Sequence, residues 1–243
     1  MRSMKSLKIA LLQAIIIAAV SSIGLQAQSV GFHVKAGLNL SNLSFDGPNL
    51  ENSSGEMLSG FHIGAMVELP VSSKFSIETG LLLQSKGYQS EFTSTVLDED
   101  MDSVQISGDQ KTSLLYLDVP ILLKGRFDLG GINLIASAGP YFGFGLSGTT
   151  FFEYPHQGEN YEEEAVIDYG DQGDFKSVDY GLMATAGVEF SNVILSATYA
   201  YGLANIETFE PDTYTTRHQN IMISLGVRLA GEEKEKRGSR RRR

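Results

Sequence analysis

Between residues 178 and 206 apolar and polar side chains alternate with a period of two. In the first arm Val178, Tyr180, Leu182, Ala184, Ala186, Val188 and Phe190 share one parity. Asp179, Gly181, Met183, Thr185, Gly187 and Glu189 take the other. The second arm repeats the rule, with Val193, Leu195, Ala197, Tyr199, Tyr201 and Leu203 against Ile194, Ser196, Thr198, Ala200, Gly202 and Ala204. Alternation of this kind puts each set on its own face of a strand. Only Ser191-Asn192 separates the arms, so the stretch predicts a β-hairpin closed by a tight turn.

The same pattern recurs along the chain and predicts eight strands, over residues 30–40, 59–69, 75–88, 112–127, 132–149, the two hairpin arms and 218–229. Pro120 is awkward in the fourth, because proline cannot donate to a ladder, and a bulge or a local gap in pairing is expected there. The connections alternate between long (45–58, 89–111, 150–177, 207–217) and short (70–74, 128–131, 191–192). An even number of strands with short turns at one end and long loops at the other is the pattern of an outer-membrane barrel. Both termini then fall at the short-turn, periplasmic end.

Alternation does not say which face points in, since a soluble lipocalin-like barrel alternates too, with its apolar face inside. The polar face decides. The strands carry Lys35, Glu68, Glu78, Lys86, Asp118, Lys124, Arg126, Asp179, Glu189 and Arg228, all of the polar parity, with basic and acidic groups in equal number. The rest of that face is small: Gly37, Gly64, Gly80, Ser137, Gly139, Gly143, Ser196 and others. A water-facing surface would hold more Lys, Glu and Gln. A narrow eight-stranded lumen suits small residues and a few paired charges. The charge-free face then meets lipid. Phe32, Phe75, Phe127 and Phe190 beside the short turns, and Phe61, Phe142, Phe144, Tyr180, Tyr199 and Tyr201 toward the long loops, would form two aromatic girdles.

Composition adds export. Arg2, Lys5 and Lys8 precede an apolar run at 9–20, and a small, polar segment with Leu25-Gln26-Ala27 follows. That is the three-part form of a secretory signal, expected over residues 1–28. The barrel is expected over 29–229 and a disordered, charged periplasmic tail over 230–243, ending in Arg240–Arg243. There is no cysteine, which excludes disulfides and a lipidated cysteine. The formal charge of −10 argues against nucleic acid as a partner.

Candidate chemistry is sparse. Lys35, Glu68, Glu78, Lys124, Arg126, Glu189 and Arg228 are expected to form an inward ion-pair network. Either it plugs the lumen near the periplasmic end, or the charges face periplasmic water. All four long loops are net acidic. Such a rim binds divalent cations or bridges through them to lipopolysaccharide, or it is a solvated, non-sticky surface. Asp98, Asp100 and Asp102 are spaced like the start of a calcium loop, but Ser103 stands where glycine is needed and Asp109 where Glu closes the site. The histidines, His33, His62, His156 and His218, form no pair with metal-ligand spacing. His156 and His218 lie toward the loop end, where barrel enzymes place their sites, yet no nucleophile is evident, so no enzyme and no cofactor are expected.

Five segments carry a family resemblance: GFHVKAGLNLSNLS (31–44), GFHIGAMVELPVSSKFSIETGLLLQSKGY (60–88), YLDVPILLKGRF (116–127), ASAGPYFGFGL (136–146) and SLGVRL (224–229). Leu117-Asp118-Val119-Pro120 followed by Ala138-Gly139-Pro140-Tyr141 is the most specific part. In these the chain resembles the PorT-like outer-membrane β-barrel family. The resemblance implies an all-β fold, an eight-stranded antiparallel up-and-down transmembrane β-barrel, OmpX/OmpA-like, in the outer membrane. It makes Pro120 a family feature. The family's name-giving member is tied to secretion and gliding machinery, so secretion-machinery proteins join outer-membrane lipid and lipopolysaccharide as expected partners. No catalytic residue is carried over. Besides a structural or interaction role, a small-solute channel is the remaining alternative.

Overall fold

Each short turn has a local cause. Asp128 Oδ1 accepts the backbone N–H of Gly130 at 2.7 Å, and Gly130 and Gly131 hold φ of 87° and 122°, a region side chains rarely enter. Ser191 takes φ of 54° at the first central position of its two-residue turn, the sign a type II′ hairpin turn requires there. Ser72 Oγ accepts the N–H of Phe75 at 3.1 Å. These turns fix the register of the strands they join.

The computed structural model describes residues 30–48, 53–97, 103–156, 159–170 and 172–230. The expected signal, the tail beyond residue 230 and the Asp98, Asp100 and Asp102 cluster lie outside the described residues. The strands are β1 (Gly31–Asp46), β2 (Ser53–Ser54), β3 (Leu58–Pro70), β4 (Phe75–Leu97), β5 (Ser103–Asp128), β6 (Asn133–His156), β7 (Glu159–Val166), β8 (Val178–Phe190), β9 (Val193–Gly202) and β10 (Thr215–Ala230). All pairings between them are antiparallel. Sheet order is β10-β9-β8-β6-β5-β4-β3-β1, and β10 pairs with β1 to close the ring. The fold is an eight-stranded up-and-down β-barrel, with β2 and β7 paired outside the ring. Among the described residues no helix is long and apolar enough to cross a membrane.

The barrel is greasy outside and polar inside. Leu38, Ile63, Leu81, Leu123, Leu182, Leu195 and Leu225 are exposed on the outer wall. Phe32, Phe75, Phe127 and Phe190 are also exposed, as are Phe61, Phe142, Phe144, Tyr180 and Tyr199 toward the loops. Glu68, Glu78, Asp118, Lys124, Asp179 and Glu189 are buried in the lumen. A lipocalin-like barrel has the opposite arrangement. The lumen is not purely polar, however. Met66, Leu82, Leu122, Met183 and Met222 have the inward parity and fill the middle of it beside Tyr141.

The two prolines interrupt the ladders without shifting them. Between β4 and β5 the pairing runs through Leu82↔Asp118, lapses opposite Val119 and Pro120, and resumes at Thr79↔Ile121. Between β5 and β6 it lapses between Pro120↔Tyr141 and Leu123↔Ala138, the interval that holds Pro140. Each gap falls where a proline has no N–H to give. A true register shift lies instead between Leu115 and Tyr116, which pair with Ser147 and Gly145. The extra residue flips the facing of β6, so that Gly148 and Thr150 turn inward beyond it.

Two of the expected long loops are largely strand. Residues 89–97 pair with 103–111 as the outer part of the β4–β5 hairpin. Residues 149–156 pair with β7. The apolar residues here, Phe92, Ile106, Phe152 and Tyr154, share the lumen-side parity with Ser90, Gln110 and Thr150, so the alternation is too diluted to mark a strand.

Candidate functional site

The short-turn end of the lumen is closed by ion pairs. Lys124 on β5 reaches Glu78 Oε2 on β4 at 2.6 Å and Glu68 Oε2 on β3 at 3.2 Å. Arg126, next inward-facing residue on β5, bonds both oxygens of Glu68 at 2.9 and 3.1 Å and lies 3.3 Å from Glu189 on β8. Arg228 on β10 bonds Glu189 and Glu68. Gly31 on β1 sits beneath that bridge; a Cβ there would lie 2.9 Å from Arg228 Nη1. Ser76 Oγ donates to Glu68 Oε1 at 2.9 Å. Six of the seven residues named from the sequence thus meet in one cluster. Lys35 is placed beside it, lining a small cavity with His33, Glu78 and Lys124. Buried pairs of this sort satisfy one another's charge, and removing one partner costs about 3–5 kcal/mol.

A second ionic centre lies toward the loop end, and parity alone could not have found it. Lys86 on β4 is 1% exposed. Its Nζ lies 2.9 Å from Asp179 Oδ2 on β8 and 3.1 Å from Asp118 Oδ2 on β5. Gln84 also donates to Asp118, and Tyr141 Oη donates to Asp179 Oδ2 at 2.9 Å. The ammonium sits 4.5 Å from the Tyr116 ring centre and 4.8 Å from that of Tyr141. Those rings supply a face that attracts a cation in a desolvated place. Cross-strand register explains why the two carboxylates converge. Asp118 pairs with Gly143, and Gly143 pairs with Asp179. A side chain at Gly143 would press on Asp118, its Cβ 2.5 Å from Oδ1.

Above this centre the loops fold over the mouth. Tyr169 packs edge-on against Tyr116 at 5.8 Å, and Leu43, Ala204 and Ile206 form a buried apolar cluster against Phe45, Tyr88 and Phe175. Backbone bonds from Gly145 N to Ser177 O (2.8 Å) and Lys176 N to Ile206 O (3.0 Å) tie the cap to the barrel. His218 lies beneath it, 2% exposed, with its ring 5.0 Å from Tyr116. His62 is held in the lumen by Asn39 Oδ1 at 2.6 Å and Ser224 Oγ at 2.8 Å. His33 is buried near the short turns, 3.7 Å from Glu78.

On one side the sheet continues past the ring as four strands, β4–β5–β6–β7. Its outer face holds a cross-strand row of acids, Glu91↔Asp109↔Glu153↔Glu162. Its lumen-side face holds aromatic side chains. Phe92 packs edge-on against Phe152 (5.6 Å) and Tyr154 (6.2 Å), and Tyr154 stacks on Tyr161 (5.9 Å).

The sequence matches the outer membrane protein beta-barrel domain over residues 26–207. The chain belongs to that family. It is thus an outer-membrane β-barrel protein, and the apolar outer wall is its lipid-facing surface. No curated protein matches the sequence. Among solved structures, the attachment invasion locus protein Ail of Yersinia pestis is 16% identical, with a TM-score of 0.36 over 83% of this chain and 99% of that one. Neisserial surface protein A is 12% identical, with a TM-score of 0.38 over 81% of this chain and 96% of that one.

Among the described residues of this outer-membrane barrel, His33, Glu68 and Glu78 come together as a trio able to ligate a metal. Sequence spacing hid it, because the three converge only through the β1–β3–β4 register. Its carboxylates are already taken by Lys124, Arg126 and Arg228. The trio therefore reads as part of the ion-pair network.

Proposed function

We propose that this outer-membrane barrel is a non-conducting structural and interaction protein, working through its loop-side sheet, and not an enzyme. The observation that carries this reading is the filled lumen. Ion pairs occupy the short-turn end, Leu82, Leu122, Met183 and Met222 the middle, and the Lys86 centre and the loop cap the rest. The projecting sheet offers a surface that is acidic on one side and aromatic on the other. Short turns and both termini face the periplasm, the usual orientation of such barrels. Outer-membrane lipid and lipopolysaccharide surround the wall, and the acidic loops disfavour nucleic acid. Burial of His218 under the cap supports the absence of catalysis. Planar-bilayer recordings of the refolded chain test the plug: conductance should be negligible, and a steady open pore would overturn it.

A second reading is favoured by the PorT-like segments, above all Leu117-Asp118-Val119-Pro120 and Ala138-Gly139-Pro140-Tyr141. Asp118 and Tyr141 of those segments are joined through the Lys86 centre. In this reading the barrel is a component of a secretion or gliding machinery, with machinery proteins as its partners. A deletion strain that secretes normally would remove it.

A further inference from the structure

Beside the ion-pair network lies a small cavity, with about 20 Å³ of water-accessible space. That is room for one water or one small ion. Lys35, Lys124, Glu78, His33, Ser137 and Ser196 line it. The lining therefore sets two ammonium groups against one carboxylate. Lys124 is engaged by Glu78 and Glu68, and His33 Nε2 lies 3.7 Å from Glu78. The short ion pairs take up Lys124, Arg126 and Arg228 and leave Lys35 outside them. His33 Nδ1 is a buried polar atom with no hydrogen-bond partner. Ser137 and Ser196 are each only 8% exposed and turn hydroxyl-bearing side chains to the cavity wall.

A half-buried ammonium inside a lumen draws a compensating charge, and Glu78, on the same cavity wall, is already shared with Lys124. Water does not supply that charge. A metal cation is opposed by the two ammonium groups, and the carboxylates it would need are already held. We propose that this cavity is a binding site for one small monovalent anion of the halide class, held by Lys35 and the hydroxyls of Ser137 and Ser196. Its size matches a single small ion. The anion completes the charge balance of the short-turn end and so strengthens the plug from within.

Bromide is the direct probe. Crystals of the refolded full chain grown in sodium bromide should give an anomalous peak in the cavity, within hydrogen-bond reach of Lys35 Nζ. Density without anomalous signal, or a manganese peak there after soaking, overturns the proposal. Urea unfolding in detergent micelles supplies an independent reading. A ligand that binds only the folded state raises the midpoint with its concentration. The midpoint should rise from gluconate to chloride at equal ionic strength, and the rise should be lost in K35M and weakened in S137A. A wild-type midpoint indifferent to the anion, or a K35M midpoint that keeps the full rise, overturns the site.

Discussion

Arg228 on β10 holds Glu189 on β8 in a two-pronged grip, Nε to Oε1 at 2.8 Å and Nη2 to Oε2 at 3.0 Å. The same Nη2 lies 3.0 Å from Glu68 on β3. One guanidinium therefore ties the last ring strand to strands on either side of it, across the β1–β10 pairing that closes the barrel. A planar fork suits this task and a lysine does not.

Replacing that fork leaves Glu189 without its main partner in a nearly dry place. R228M should lower stability by about 3–5 kcal/mol, the range for breaking a buried pair from one side. R228K should recover only part of the loss, because it cannot bond both oxygens in one plane. Urea unfolding in lipid vesicles gives both values. Equal stability of R228M and wild type would show that the grip contributes nothing.

The outer wall makes the opposite demand. Leu123 is 54% exposed in the middle of the lipid-facing stretch of β5. L123R puts a charge into hydrocarbon and should cost about 2–4 kcal/mol near the bilayer midplane. The neighbouring inward position already carries Lys124, paired with Glu78 and Glu68. One step along the strand thus separates a forbidden charge from a required one. Refolding yield and unfolding in vesicles measure the difference.

The Lys86 centre gives a sharper comparison. K86M leaves Asp118 and Asp179 facing each other across Gly143 with no cation between them. The triple change K86M/D118N/D179N removes all three charges. The single variant should be the less stable of the two, by about 3 kcal/mol or more, because an unpaired buried charge costs more than an absent network. If the triple variant proves the weaker, the network is worth more than its desolvation.

Much of this was legible in the sequence, and the limits have physical reasons. Period-two alternation survives wherever one face of a strand meets lipid, so each ring strand and its facing could be read. Lys35, Glu68, Lys124 and Arg228 all showed their inward side by parity alone. Parity gives the face but not the height, and height follows from register. Lys86, Asp118 and Asp179 are far apart in the chain and meet only because Gly143 lies between the two carboxylates in the ladder. Met66, Leu82 and Met222 sat on the polar parity and showed no sign of filling the lumen until the strands closed around them. The outer β4–β5 hairpin was hidden for another reason. Ser90, Gln110 and Thr150 interrupt the inward row that Phe92, Ile106 and Phe152 would otherwise mark.

That hairpin carries a built-in repulsion. Glu91, Asp109, Glu153 and Glu162 stand directly opposite one another across four strands, all exposed. Like charges in such positions destabilise a sheet by a few tenths to about 1 kcal/mol per pair. Glu153 has an acid on each side, so E153Q relieves two contacts at once. Amide exchange in β7 should slow in E153Q, since among the described strands β7 pairs with β6 alone. Added salt should slow exchange in the wild type by screening the same repulsion, and have little further effect on the variant. Exchange in the ring strands, closed on both sides, should not change. Unaltered β7 protection in E153Q would mean that the acids have spread far enough into water to ignore one another.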